Sequence, residues 1–511
     1  MIKCSKLDEV YILLEADINS PQLEQEIKQL EYLSSRFEWF ARNYQHSYKF
    51  KSGQWDGTVK YLRKVKYGVY IFPIGLFNEL IIMCDVNNID LDIKFSVNDL
   101  YPNLTVDWEL LKKQLNLPCH FEQRQYQIEY VNDIFKWGRC CIVSPTGSGK
   151  SAILYMTVIN LLKNVFKNNE KIILIVPTVD LVTQMYEEFK SNGFTDIDEF
   201  CQLIMAGKEK IITKQLVIST WQSLQHLPES FFEQFSCLIV DECHGVSASA
   251  EKLSYISHCC KNAYFRIGTT GTIPDNILDI TNMVASLGPI KKKTSTAQLI
   301  KSDYLSPLCI KSIILQWKTT DKLNINNFQE EYTTIIECEE RAQLIISLCK
   351  RLLEETTGTI LVLGRRVDYL HYLSETLNEQ TNEDVFLVTG KHTSKKKRHD
   401  IYNSVKKTGG IFFATEKIAG TGINIENIDK IVLATPLKSK ITVLQAIGRG
   451  CRLCEGKQYL EVYDFIDKIP LVGGKINSCY KWIDKKNAIY ESEQFLNRTY
   501  ILNLYIKNNN L

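Results

Sequence analysis

No uninterrupted apolar run in the 511-residue sequence reaches the roughly 18 residues that a membrane-spanning helix needs. The opening Met1-Ile-Lys-Cys-Ser-Lys-Leu-Asp-Glu has no apolar stretch of secretory-leader length, so the chain is expected to stay in the cytoplasm of the cell that makes it. Net charge is nearly absent as well. The formal value is +2, so any surface for a polyanion has to be a local patch. A disulfide framework is missing despite 16 cysteines, because Cys140 adjoins Cys141 and Cys259 adjoins Cys260; reduced thiols in an intracellular protein account for them better. Cys451 and Cys454 have C-x-x-C spacing but no second pair at zinc-finger distance, which argues against a structural zinc site. No low-complexity linker interrupts the chain. With 45% hydrophobic and 23% charged residues the composition is that of a globular protein, and the length allows about three or four domains.

What is present is organised around Cys140 to Ser151, read C-C-I-V-S-P-T-G-S-G-K-S. A short β-branched run leads into a glycine turn, and Lys-Ser then opens an amphipathic segment. This order predicts a phosphate-binding loop. Gly147 and Gly149 let successive backbone N–H groups point inward, and Thr146, Ser148 and the N-terminal end of the following helix complete the cradle. Lys150 is placed to reach the β- and γ-phosphates, and the Ser151 hydroxyl to take one position on Mg²⁺. The general pattern begins with Gly, whereas Ser144 stands there in this chain.

Residues 1–95 read as a small N-terminal accessory module for DNA binding. An alternating segment, Val10 to Ala16, precedes a charged helical stretch from Pro21 to Leu33. Between Arg36 and Lys66, the bases Arg36, Arg42, Lys49, Lys51, Lys60, Arg63, Lys64 and Lys66 face only Glu38 and Asp56. The rings of Phe37, Trp39, Phe40, Tyr44, Tyr48, Phe50, Trp55 and Tyr61 are interleaved with them. Cations for phosphates and rings for stacking suit a nucleic-acid surface, with Lys49, Lys51, Trp55 and Arg63 as candidate contacts. A small aromatic core under a solvated basic face fits the same residues. Gly53-Gln-Trp-Asp-Gly57 reads as a hairpin turn.

From about Leu111 to Gly288, strands expected at 140–143, 171–176, 216–219, 238–240 and 264–267 alternate with helical segments, the pattern of a parallel α/β domain. The alternation returns with strands at 359–363, 385–388, 411–414, 430–434 and 459–463. The expected fold is α/β, with two tandem RecA-like parallel-sheet domains over 96–290 and 291–470, a small α+β N-terminal module, and a short helical tail over 471–511 whose Lys507 to Asn510 fray. The apolar strand Leu238-Ile-Val ends in Asp241-Glu242-Cys243-His244. An acid pair downstream of a phosphate loop in one α/β domain supplies what ATP hydrolysis needs: Asp241 to hold Mg²⁺ and Glu242 to polarise the attacking water.

With these motifs in hand the chain resembles the superfamily 2 helicases, whose form of the phosphate loop has a small residue where others have the first Gly. The resemblance implies that Arg124, Tyr126 and Gln127 read adenine, and that Pro177, Thr178 and Gln184, with Thr220, grip the nucleic-acid backbone. Thr270-Gly271-Thr272 stands where the family has its coupling motif, with Gly in place of the middle Ala. Arg365 resembles the fourth motif, Gly420-Thr421-Gly422-Ile-Asn424 the fifth, and Gln445-Ala-Ile-Gly448-Arg449-Gly-Cys-Arg452 fits the sixth at every fixed position. By that resemblance Thr421 contacts nucleic acid, Gly422 the nucleotide, and Gln445, Arg449 and Arg452 serve catalysis. On a helix, two arginines three residues apart project from one face. Supplied to the γ-phosphate, such a group is worth about 10³ to 10⁵ in rate.

Gly53-x-Trp55-Asp56-Gly57, the Asp-Glu-Cys-His motif and Leu437-Lys-Ser-Lys-x-x-Val-Leu-Gln445 narrow the resemblance to phage recombination and repair helicases. This implies an ATP- and Mg²⁺-dependent DNA helicase acting on forks, junctions, R-loops and D-loops, with strand-annealing activity, in replication, recombination and repair. The implied partners are forked, branched and single-stranded DNA, RNA–DNA hybrids, and a single-strand-binding protein or recombinase. No membrane partner is implied; the protein would be a monomer in the host cytoplasm. A duplex-DNA or RNA translocase that separates no strands, and an ATP-dependent nucleic-acid clamp, remain as alternatives; a clamp would not need the hydrolytic set Lys150, Glu242 and Arg449.

Overall fold

The computed structural model describes the chain except for residues 42, 118–122, 206–209, 248–250, 391–392, 394, 417, 419–424, 438 and 507–511. It falls into two compact units, Met1–Ser144 with Gly149–Lys293, and Pro145–Ser148 with Thr294–Leu511. Each unit is built on a seven-stranded sheet in which every pairing is parallel. No helix among the described residues is long and apolar enough to cross a membrane, and the described cysteines are all free thiols.

In the first unit the strand order is Cys201–Ile204, Leu216–Thr220, Ile172–Val176, Cys237–Asp241, Phe265–Thr270, Arg139–Val143, Ile290–Lys292. The central strands are continuous apolar runs because helices cover both faces of the sheet. The strand Phe265–Thr270 lies between Arg139–Val143 and Cys237–Asp241, parallel to both, so the phosphate loop and the acid pair both emerge at strand C-terminal ends, where open α/β sheets place their ligands. The lysine run at 291–293 turns out to begin within the last strand of this sheet.

The N-terminal module has its own five-stranded sheet, Arg63–Lys66, Val69–Pro73, Tyr11–Glu15, Ile2–Lys6, Leu91–Ile93, packed against the helices Leu23–Arg36 and Phe77–Val86. Its hydrophobic cluster is continuous with Leu278, Val284 and Ala285 of the helix Ile277–Leu287 in the helicase-type domain. Polar contacts tie the same junction. Buried Arg139 donates to the Glu9 carboxylate at 3.1 Å and to its carbonyl at 3.2 Å, and Tyr61 Oη donates to Asn282 Oδ1 at 2.5 Å. Gly53 to Gly57 does not close a tight hairpin. The strands that pair are Glu38–Phe40 and Thr58–Lys60, and the chain between them is long enough to hold the short helix Tyr48–Lys51.

In the second unit the order is Val385–Val388, Gly410–Thr415, Thr359–Gly364, Ile428–Leu433, Leu460–Lys468, Leu308–Lys318, Leu496–Tyr505. The tail is helical only as far as Ser492. Beyond it, Leu496–Tyr505 runs parallel to Leu308–Lys318 over ten residue pairs as the sheet's edge strand, where its β-branched and aromatic Thr499, Tyr500, Ile501 and Tyr505 suit an extended chain.

Candidate nucleotide and nucleic-acid site

The strand Arg139–Val143 is wholly buried and delivers the chain to Ser144. Gly147 and Gly149 both adopt φ of +82°, a left-handed turn that side-chain-bearing residues resist. Gly149 caps the helix Lys150–Asn160, and the Lys150 ammonium rests 3.4 Å from the Ser144 carbonyl oxygen. Ser151 occupies the first turn of that helix, beside its unsatisfied N–H groups. Gln127 is buried against this turn: a Cβ on Gly149 would fall 2.4 Å from the Gln127 amide nitrogen. Its Oε1 accepts from the Arg124 backbone N–H at 3.1 Å, and the Arg124 guanidinium donates to Tyr126 Oη at 2.9 Å. The three residues of the expected adenine motif therefore form one hydrogen-bonded group beside the phosphate loop.

Asp241 ends its strand, and Glu242 follows in the left-handed region at φ +51°. That conformation costs a residue with a side chain about 1 kcal/mol or more and is characteristic of functional positions. Burial, then the adjacent Glu242 charge, pushes the Asp241 carboxyl up to about 6, while Lys150 and a 2.7 Å hydrogen bond from Thr269 Oγ1 act the other way. At this acid pair Lys150 offsets burial and repulsion only in part. A divalent cation fits it, with Asp241 and Ser151 as the residues to hold the ion. Glu242 is oriented by its neighbours: His244 Nδ1 lies 3.2 Å from Glu242 Oε2 and 2.9 Å from Thr270 Oγ1, which is itself 3.4 Å from Glu242 Oε2. Thr270 also donates to the Thr272 carbonyl at 3.0 Å. The segment 270–272 thus reaches the Glu242 carboxylate with Gly271 at its centre. Sequence reasoning did not single out Thr269 or His244 for a role; their signal is position, at the end of the neighbouring strand and two residues beyond the acid.

Thr178 and Thr220 cap the helices Val179–Ser191 and Trp221–Leu224, accepting at 3.4 Å from Leu181 N and Ser223 N. Gln184 donates to Glu188 at 2.6 Å. Pro177, Trp221, Asp241, Glu242 and Lys252 line one cavity of about 520 Å³, so the two expected backbone-gripping segments border the same hollow as the acid pair.

In the second unit, Arg365 follows the strand Thr359–Gly364, and its guanidinium stands 6.0 Å from the Tyr332 ring centre. Gln445 and Arg449 lie on the helix Lys440–Gly450. Arg452 does not share it. The helix stops at Gly450, Cys451 caps it, and the Lys457 ammonium engages the Gly450 and Arg452 carbonyls, the latter at 3.1 Å, so the two arginines are not one face of one helix. Thr421 and Gly422, with the rest of 420–424, lie outside the described residues, as do Arg42, Lys438 and the 507–510 tail.

Within the N-terminal module, Lys49 and Lys51 are exposed on the helix Tyr48–Lys51. Arg63 lies on the edge strand Arg63–Lys66, where it donates to Tyr11 Oη at 3.0 Å. Trp55 is half-buried, and its indole N–H donates to the Thr58 carbonyl at 2.7 Å.

Residues 120–275 match the family of the type III restriction enzyme res subunit, and residues 342–454 match the helicase conserved C-terminal domain. The ATP-dependent DNA helicase uvsW of Enterobacteria phage T4 is 26% identical over 482 residues, covering 91% of this chain and 92% of the relative. Putative helicase 22 of Sulfolobus islandicus filamentous virus is 26% identical over 68% of this chain and 64% of its own length. Among solved structures, a fragment of a putative HsdR subunit of a type I restriction enzyme from Vibrio vulnificus YJ016 superposes with a TM-score of 0.57. It is 17% identical and covers 96% of this chain and 88% of that one, a likeness of fold.

Proposed function

Because the chain is an ATP-hydrolysing helicase of superfamily 2, we propose that it works on branched DNA, separating strands at forks, junctions, R-loops and D-loops in phage recombination and repair, with annealing as the reverse reaction. The observation that carries the chemistry is the end of the strand Cys237–Asp241, where two adjacent acids, one of them held by Thr270 and His244, stand in the same domain as the phosphate loop. In the proposed mechanism the inward N–H groups of the Gly147–Gly149 turn and the Lys150 ammonium bind the ATP phosphates. Gln127 and Tyr126 orient the base. Glu242 takes the proton of the attacking water, and the Thr270 and His244 contacts fix the direction of its lone pairs. Ser151 and Asp241 would hold Mg²⁺, which would supply charge neutralisation to the ATP phosphates. Arg449 and Arg452 supply positive charge in the transition state. Coupling follows from the placement of Pro177 and Trp221 on the cavity that Glu242 also lines.

Support for DNA as the polymer comes from the phage relative of almost equal extent and from the basic stretch of the N-terminal module. Lys49 and Lys51 have no acidic partner among the described residues and are the module's best-placed phosphate contacts, with Arg63 on a separate edge. The protein would act in the host cytoplasm, alongside a single-strand-binding protein or recombinase. The test is ATPase activity with single-stranded, duplex, forked and four-way DNA and with RNA. Forked and four-way DNA should stimulate most; equal stimulation by RNA alone would contradict the assignment. Lys49→Gln with Lys51→Gln should lower the slope of log K against log salt by roughly 0.9 per lost contact on duplex.

A further inference from the structure

The short strand pair Glu38–Phe40 and Thr58–Lys60 stands outside the module's main sheet. Alternation along the first strand turns Trp39 inward, edge-on to Tyr61 at 5.5 Å, and Phe40 outward, where it is 62% exposed. Phe40 is not a solitary apolar residue on a polar surface. Its ring stacks on Tyr44 at 4.8 Å and 24°, and Tyr44 in turn meets Phe50 edge-on at 4.8 Å and 86°. Tyr44 is seated by the turn opposite. Gly57 has φ +85°, and a Cβ there would fall 2.3 Å from Tyr44 Cδ2, so only glycine leaves room for the ring. The rest of the turn fixes Gly57: Asp56 Oδ1 accepts from Thr58 N at 2.9 Å and Thr58 Oγ1 at 2.7 Å, and Trp55 is bonded to the Thr58 carbonyl. The Gly53-x-Trp55-Asp56-Gly57 motif is therefore a brace for an outward-facing aromatic stack.

The charges beside the stack identify what it meets. Glu38 and Asp56 share Lys60, at 3.6 and 3.4 Å, so one positive charge there meets two negative ones. Lys49 and Lys51 keep their charge without an acidic partner among the described residues, and Tyr48 between Phe40's neighbours and these lysines is 78% exposed. A braced ring with one free face, next to unneutralised ammonium groups, is complementary to a base next to phosphates.

We propose that Phe40, backed by Tyr44, is a stacking wedge that takes the terminal base at the fork of an opening DNA duplex. This deepens the helicase reading and rests on it. When the last base pair opens, its bases lose their stacking on the pair behind. A ring held in place in advance restores stacking on one side with little ordering of its own, and because every base has a π-face the effect does not depend on sequence.

The experiment measures strands separated per ATP hydrolysed on a forked duplex, for wild type, Phe40→Ala, Phe40→Leu and Phe40→Trp in the full chain. Phe40 is mostly solvent-exposed, so these changes leave the inward-facing Trp39 and Tyr61 packing in place. The ratio should fall about tenfold in Phe40→Ala and stay low in Phe40→Leu, which keeps an apolar side chain without a π-face, and Phe40→Trp should restore it. An unchanged ratio in Phe40→Ala, or full recovery in Phe40→Leu, overturns the wedge while leaving the helicase reading intact. A wild-type protein that hydrolyses ATP on the fork and separates no strands overturns the helicase reading, and the wedge with it.

Discussion

Each of the two parallel sheets has a strand that carries carboxylates in or beside its core, two in the first and three in the second, and they are treated in opposite ways. In the first, Asp241 and Glu242 are adjacent at the strand end, and burial together with their mutual repulsion pushes Asp241 up to about 6. In the second, Asp464 and Asp467 on the strand Leu460–Lys468 are fully buried, yet each meets a buried cation. Lys486 donates to Asp464 at 2.6 Å with Tyr490 at 2.9 Å, and Arg341 donates to Asp467 at 2.9 and 3.1 Å with Trp317 at 3.0 Å. Burial pulls the Arg341 guanidinium down, but Asp467 and Tyr369 outweigh it and hold it above its ordinary range. The saturated pairs fix architecture, tying the helices Glu339–Glu355 and Ile483–Ser492 to the sheet. Asp241, raised by burial and by its neighbour's charge, is suited to meet a ligand's positive charge, and that contrast separates function from scaffold better than burial does.

The largest effects should come from the residues proposed to act in hydrolysis. Arg449→Ala and Arg452→Ala should each lower DNA-stimulated hydrolysis by about 10³-fold or more while leaving DNA binding largely intact, read by steady-state ATPase and by anisotropy. Normal stimulated rates in both would remove them from the mechanism. Glu242→Gln should lower hydrolysis about 10²- to 10⁴-fold yet retain ATP binding, whereas Lys150→Ala should lose both; fluorescent-nucleotide binding distinguishes the two.

The saturated pairs should answer to stability instead. Arg341→Met alone leaves Asp467 buried without its cation and should cost roughly 3–5 kcal/mol by denaturant unfolding. Pairing it with Asp467→Leu should recover most of that loss. A double variant as unstable as the single would mean the pair stabilises the fold outright.

The smallest effect has the most informative sign. The folded Asp241 carboxyl titrates near 6, above its unfolded value, so its contribution to stability is fully present below about pH 4 and is lost as pH rises through about 6. Asp241→Asn cannot ionise. The nucleotide-free variant should be more stable than wild type at neutral pH by about 1–2 kcal/mol, with the difference shrinking toward pH 4. A variant less stable than wild type at pH 7.5 would show that the acid pair is already neutralised without a ligand.

The contrast also separates what the sequence reveals from what it hides. The phosphate loop and the acid pair are legible because their chemistry is local: a glycine turn after an apolar strand, and two acids at a strand end. Asp464 and Asp467 carry no such signal, since Asp467 meets its arginine 126 positions away and Asp464 its lysine 22 positions away. The helix expected to carry both Arg449 and Arg452 ends early because Lys457, beyond it, takes its last carbonyls, and spacing alone does not show that. Leu308–Lys318 and Leu496–Tyr505 escape notice as strands because polar residues interrupt their apolar ones, and they pair only with each other and with Leu460–Lys468. At the other end of the chain, composition suggests a boundary near residue 95, whereas the Glu9–Arg139 and Tyr61–Asn282 contacts, which composition does not show, join residues on either side of it within one compact unit.

The central claim is that an ATP site built on the phosphate loop and the Asp241–Glu242 pair drives the separation of DNA strands. The most direct measurement is displacement of a labelled strand from a forked duplex by the wild-type protein, with ATP, with a non-hydrolysable analogue, and with Glu242→Gln in its place. Displacement with ATP and wild type only is the predicted result. Equal displacement by Glu242→Gln or with the analogue would contradict the account, since strand separation would then come from binding alone.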